Sequence, residues 1–152
     1  PTSSVFSLGT DSAVNGDTRT MISYLWHSVP GLQKFGKYTG NLNADGPFIE
    51  LGFRPALVWL KEIGNAGHWN IYDNARNTSN LTDKILWAND DYEENDTDII
   101  GSVGSNAIDF LSNGFKLRSN KTGTNRSGGN YIYCAWAASP FSNLYGAQSN
   151  AR

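Results

Sequence analysis

The chain lacks most of what would staple, anchor or strongly charge a protein of 152 residues. It has one cysteine, Cys134, so no intrachain disulfide can form and a disulfide-framed secreted module is excluded. Cys134 lies in the apolar run 131–138, where a small buried hydrophobe is the expected role. The only histidines, His27 and His68, have no cysteine or second histidine at metal-ligand spacing, which argues against zinc. Lysine and arginine total 12 against 14 acidic residues, a net charge of -2, and they form no basic stripe. This argues against nucleic acid as a partner. No apolar run approaches membrane-spanning length and no secretory leader is visible, so membrane insertion is not expected. There is no G-x-S-x-G elbow, and no glycine-rich phosphate loop opening a helix. No stretch carries convincing 3.6-residue amphipathicity, and glycine or proline interrupts most windows long enough for a helix.

Glycine and aromatic residues are abundant, which suits short strands joined by tight turns. The length fits one domain and can bury a core without covalent staples. The chain starts at Pro1 without a methionine, as expected for a fragment or domain of something longer. Its centre is the stretch 45–76. Ile49, Leu51 and Phe53 alternate with Phe48 and Glu50, the period-2 pattern of a half-buried strand. Pro55 breaks the ladder, and 56–60 is an unbroken apolar run typical of a covered strand. Gly64, Asn65 and Gly67 supply a turn, and Trp69 and Ile71 share one face of the next strand, opposite Asn70 and Tyr72. Asp73 and Arg76 are expected to pair near its end.

Flanking this stretch, residues 5–8 and 20–27 read as strands, and 31–45 as a Gly/Asn-rich connection with Phe35 and Tyr38 alternating inside it. A short strand over 84–88 carries Trp87. Ser112-Asn113-Gly114 between 109–111 and 115–118 is a strong hairpin signal. A repeat also appears: NGDTRTMISYLWHSVPG, from Asn15, aligns without gaps on NRSGGNYIYCAWAASPF, from Asn125. The pairs Asn15/Asn125, Ile22/Ile132, Trp26/Trp136 and Pro30/Pro140 are identical, each 110 residues apart. Residues 1–30 then read as the terminal hairpin of a preceding repeat, and 31–152 as a β-sandwich domain, together one compact domain. The fold class expected is all-β: an antiparallel β-sandwich, jelly-roll or lectin-like.

The acidic loop 89–98, NDDYEENDTD, is the most pointed chemical feature. Asp91, Glu93 and Asp96 offer oxygen ligands for calcium, although the spacing is not that of an EF-hand. A solvated, mobile acidic loop is the plainer reading. Glycoside hydrolysis needs two carboxyl groups fixed across a cleft, which one loop does not supply, so no catalytic residues are assigned and no enzyme is expected. Trp59, Trp69, Trp87, Tyr92 and Tyr145 present planar faces of the kind that stack on sugar rings. Core packing is the competing role, and the stronger one for Trp26, Trp59 and Trp136 in apolar strands. Tyr92, among carboxylates, is the best exposed aromatic. The expected ligand-binding set is Tyr92, Asp90, Asp91, Trp87, Trp69 and His68.

Four stretches carry a family resemblance: SVPGLQKFGKYTGNLNADGPFIELGFRPALVWLK, HWNIYDNAR, DFLSNGFKLRSN and NYIYCAWAASPF. Together they resemble an uncharacterised repeat domain of tail-fibre and other virion structural proteins of marine bacteriophages. The match runs from about Trp26 to Phe141. The resemblance implies a virion location, in a tail fibre or surface appendage, with other fibre chains as partners in a homotrimer. It also implies host attachment, with a cell-surface glycan or other receptor bound by loop residues. A spacer module without a ligand, and a glycan-degrading enzyme, are the alternatives. The resemblance carries no catalytic residues.

Overall fold

The computed structural model describes residues 2, 4–94 and 106–139. Among the described residues, eight strands form two antiparallel sheets. The larger has the order β1 (Gln33–Thr39), β8 (Asn130–Ala137), β3 (Pro55–Ile63), β4 (Asn70–Asp73), β5 (Leu86–Trp87). The smaller has the order β2 (Phe48–Glu50), β7 (Gly114–Leu117), β6 (Ile108–Leu111). Two one-turn helices, α1 (Ser12–Asn15) and α2 (Thr122–Asn125), complete the described elements. The chain is an all-β, sandwich-like fold. First strand pairs with last and second with second-last, which is jelly-roll winding. The remaining strands close locally, as a β3–β4–β5 meander and a β6–β7 hairpin.

Alternation explains the layers. On β8, Tyr131, Tyr133 and Ala135 are buried while Ile132, Cys134 and Trp136 face the outer side, half-buried. On β3, Val58, Leu60 and Glu62 point inward. The apolar ones among these meet Ile49, Phe110, Phe115 and Leu117 of the smaller sheet in one apolar core, and Glu62 accepts instead from Arg126. Phe115 joins the layers, with its ring 5.6 Å from Tyr133 and 6.4 Å from Tyr38. Tyr133 also needs Gly36, its partner across β1–β8, because a Cβ there would sit 2.6 Å from the phenol oxygen. Three buried tyrosines end on backbone carbonyls: Tyr38 donates to Thr124, Tyr72 to Asn106 and Tyr131 to Thr122. Burial pushes the Tyr38 and Tyr72 phenols well above their ordinary range.

Pro55 opens β3 rather than breaking a ladder, a place where its missing N–H costs nothing. The Asp73–Arg76 pair forms as expected, at 2.5 Å. Burial alone would raise the Asp73 carboxyl, but hydrogen bonds from the Arg76 amide and guanidinium outweigh it and hold it below the usual carboxylate range. A depressed folded-state pKa contributes stability that is present above the unfolded value, about 3.9, and is lost as pH falls through the folded value. Asp73→Asn is therefore expected to cost about 1–2 kcal/mol at pH 7. The gap to wild type should close below about pH 3; urea midpoints at both pH values check this.

Three expectations need correction. Residues 5–8 and 20–27 are not strands, and their expected hairpin does not extend either sheet. Both have the composition of strands, but no described strand edge lies beside them. Trp26 is accordingly 59% exposed, not packed in a core, and stacks loosely on Tyr24. Finally, residues 31–45 are not only a connection. They contain β1, because the alternation in KFGKYTG is that of a strand paired with β8.

Candidate functional site

The edge of the larger sheet brings together the loop before β4 and the loop after β5. Asn70 pairs with Trp87 across the β4–β5 ladder, and its side-chain oxygen accepts from the Trp87 indole at 3.1 Å. The Asn70 amide reaches back to the carbonyls of His68 and Gly123. This buried asparagine fixes the indole plane and ties the edge to α2. Beyond the strands, Asn89 accepts from the Trp69 amide at 2.7 Å, and the Ala88 amide donates to the Trp69 carbonyl. The two loops are therefore clasped at their bases.

On that base, His68, Trp87 and Tyr92 meet mutually edge-to-face, with ring centroids 5.6 to 6.3 Å apart. Such pairs add about 0.5–1.5 kcal/mol each beyond burial. Asp90 Oδ2 lies 2.9 Å from His68 Nδ1, without the alignment of a hydrogen bond. Glu94 accepts from Arg76 at 3.0 Å and lies 3.9 Å from Lys84. The described part of the acidic loop is thus pinned at Asn89, Asp90 and Glu94, where the sequence suggested a freely solvated one.

The expected ligand-binding residues divide by exposure. Tyr92 is 37% exposed, Asp91 is exposed, and His68, Asp90 and Trp69 are half-buried. Trp87 is buried, so it props the rings of His68 and Tyr92 and offers no face of its own. Tyr145 lies outside the described residues. Of the expected calcium ligands, Asp91 and Glu93 are exposed and Asp96 lies outside the described residues. Among the described residues no three His, Cys, Asp or Glu side chains are grouped to hold a metal ion.

Asn70 and Asn89 organise this edge and were missed in the sequence. The signal for Asn70 was present: a polar residue on the face it shares with Tyr72. Elsewhere, Trp59 and Trp136 form an outer-face ridge with Phe35, at 5.6 and 5.7 Å, rather than packing between the sheets. A separate cleft of about 320 Å³ lies where the 28–34 turn crosses Leu51 and Phe53.

The edge offers one aromatic face among carboxylates and an imidazole, on a surface clasped by backbone hydrogen bonds. A family model described as a domain of unknown function, DUF7483, matches residues 1–140. No curated protein and no solved structure matches the chain.

Proposed function

The chain belongs to the DUF7483 family, a domain of unknown function, and we propose, from its resemblance to virion repeat domains and from the Tyr92 edge, that it is an attachment domain of a bacteriophage tail fibre that binds host cell-surface carbohydrate. The observation that carries the reading is Tyr92, an exposed phenol braced edge-on by His68 and Trp87 beside Asp90 and Asp91. A pre-positioned ring loses little freedom when it binds, and rigid strands carrying a recognition loop suit a receptor-reading module. One such site is weak. Three copies in a homotrimeric fibre would gain avidity without any new contact.

The test is a glycan array probed with the purified chain, with and without calcium, after sizing by light scattering. Selective binding is expected, and Tyr92→Ala should weaken it at least about tenfold, or about 1.4 kcal/mol. Far-ultraviolet circular dichroism should not change, because Tyr92 lies at the rim of the fold. A folded, assembled chain that binds no glycan would defeat the reading. The second reading, a spacer module of a virion fibre without a ligand, would then stand, and the 110-residue repeat in the sequence favours it.

A further inference from the structure

The repeat seen in the sequence recurs as structure, on one side without its sheet. α1 and α2 are both one-turn helices, 110 residues apart. Their C-caps, Gly16 and Arg126, take nearly the same backbone angles, φ -68, ψ 134 and φ -56, ψ 137. Thr18 and Gly128 follow with φ of 61 and 70, a left-handed position that a threonine rarely takes. Three hydrogen bonds repeat at the same offset. The Asn15 amide donates to the Asp11 carbonyl, as Asn125 does to Lys121. Arg19 donates to Gly16, as Gly129 does to Arg126. The Asn15 side chain donates to the Gly9 carbonyl, as the Asn125 side chain does to Ser119.

Only the local half of the pattern is present at the N-terminal copy. Asn125 also bonds Asn41 and Asn43, which follow β1, and the segment after it becomes β8. Asn15 is exposed, and residues 20–27 pair with no described strand. Ile22 is 79% exposed and Tyr24 75% exposed. A row of exposed apolar side chains in a strand-like sequence pattern is what an unpartnered strand presents.

We infer that residues 9–29 are the closing element of a second unit with this fold, and that residues 20–27 enter that unit's larger sheet between its first and third strands. The mode is strand addition, with main-chain hydrogen bonds on both sides. In this sheet Trp136 lies between Gln33 and Leu57, and Cys134 between Phe35 and Trp59. The transferred register sets Trp26 and Tyr24 at those places. Trp26 then repeats the edge-on contacts of Trp136 on the outer face. The inward residues differ: Met21, Ser23 and Leu25 stand for Tyr131, Tyr133 and Ala135. The accepting unit is therefore a relative with its own core, with more room opposite Leu25 and less opposite Ser23.

The test extends the chain by joining a copy of residues 31–118, which carries seven strands, directly to Gly9. Amide exchange is then read at residues 20–27. In the 152-residue chain these amides should exchange fast. In the extended protein they should slow by at least about 100-fold, the protection of a central strand. Adding Met21→Tyr, Ser23→Tyr and Leu25→Ala, which restores the inward set of β8, should raise the melting temperature of the added unit. Protection with either segment supports the inference. Fast exchange with both overturns it.

Discussion

Replacing Asn125 by alanine is expected to cost about 3–5 kcal/mol of stability, most of the margin of a small domain. Asn125 is fully buried, and its amide lies 2.7 to 3.0 Å from the Ser119 and Asn43 carbonyls and the Asn41 side-chain oxygen. Its side-chain oxygen accepts from the Asn41 backbone amide at 2.8 Å, and its own carbonyl accepts from Leu42. One side chain thus latches the exit of β1 to the turn that leads into β8. Alanine would remove the partner of the Asn41 amide and of the Asn43 and Ser119 carbonyls, one bond buried and two part-buried, each worth about 1–3 kcal/mol where water is kept out. Asn125→Asp should be nearly as harmful, because it places an acceptor against acceptors. The urea midpoint measures both. A loss under about 1 kcal/mol would mean that water replaces the latch.

The second large effect is expected at Gly114. It opens β7, pairs with Glu50 of β2, and a Cβ there would press into the backbone carbonyl of Ile49. The same atom would lie 3.0 Å from the Phe48 ring. A backbone carbonyl cannot swing aside as a side chain can, so Gly114→Ala should prise β2 off β7. The expected cost is about 3 kcal/mol, the upper end for forced overpacking. Phe115→Ala should cost a similar amount, about 3–5 kcal/mol, by a different route: a cavity between the sheets. Amide exchange separates the two. Gly114→Ala should release the Leu51 and Gly52 amides, which donate to Asn113, before the rest of the fold opens. Phe115→Ala should lower protection throughout.

The strands that hold the core were legible because their side chains alternate or run apolar. Residues 56–60, 70–72, 109–111 and 131–137 all fall in strands. The hairpin at 112–114 was legible from Ser112-Asn113-Gly114, although Gly114 opens β7 and the two loop residues are Ser112 and Asn113. Strand β1 was harder, since Gly36 and two lysines dilute its pattern, and its pairing with β8 spans most of the chain. Residues 20–27 failed in the opposite sense. Their pattern is that of a strand, but pattern reports what a segment can pair with, not whether a partner lies beside it. The candidate edge was half legible. Tyr92 stood out by its acidic neighbours, whereas the bracing of its ring depends on Asn70 and Asn89, whose bonds join positions 17 to 20 residues apart.

The position of β8 sets a schedule for synthesis. β1 and β3 each pair with β8, which is made long after both of them. At roughly 5–20 residues per second, several seconds separate the emergence of β3 from that of β8. For that interval β1 and β3 lack the strand that lies between them, and Tyr38 lacks the Tyr131 ring on which it stacks. The nascent chain therefore cannot fold strand by strand as it leaves the ribosome. It must wait as an open intermediate and close in a late, long-range step, the kind that is slow and draws on chaperones.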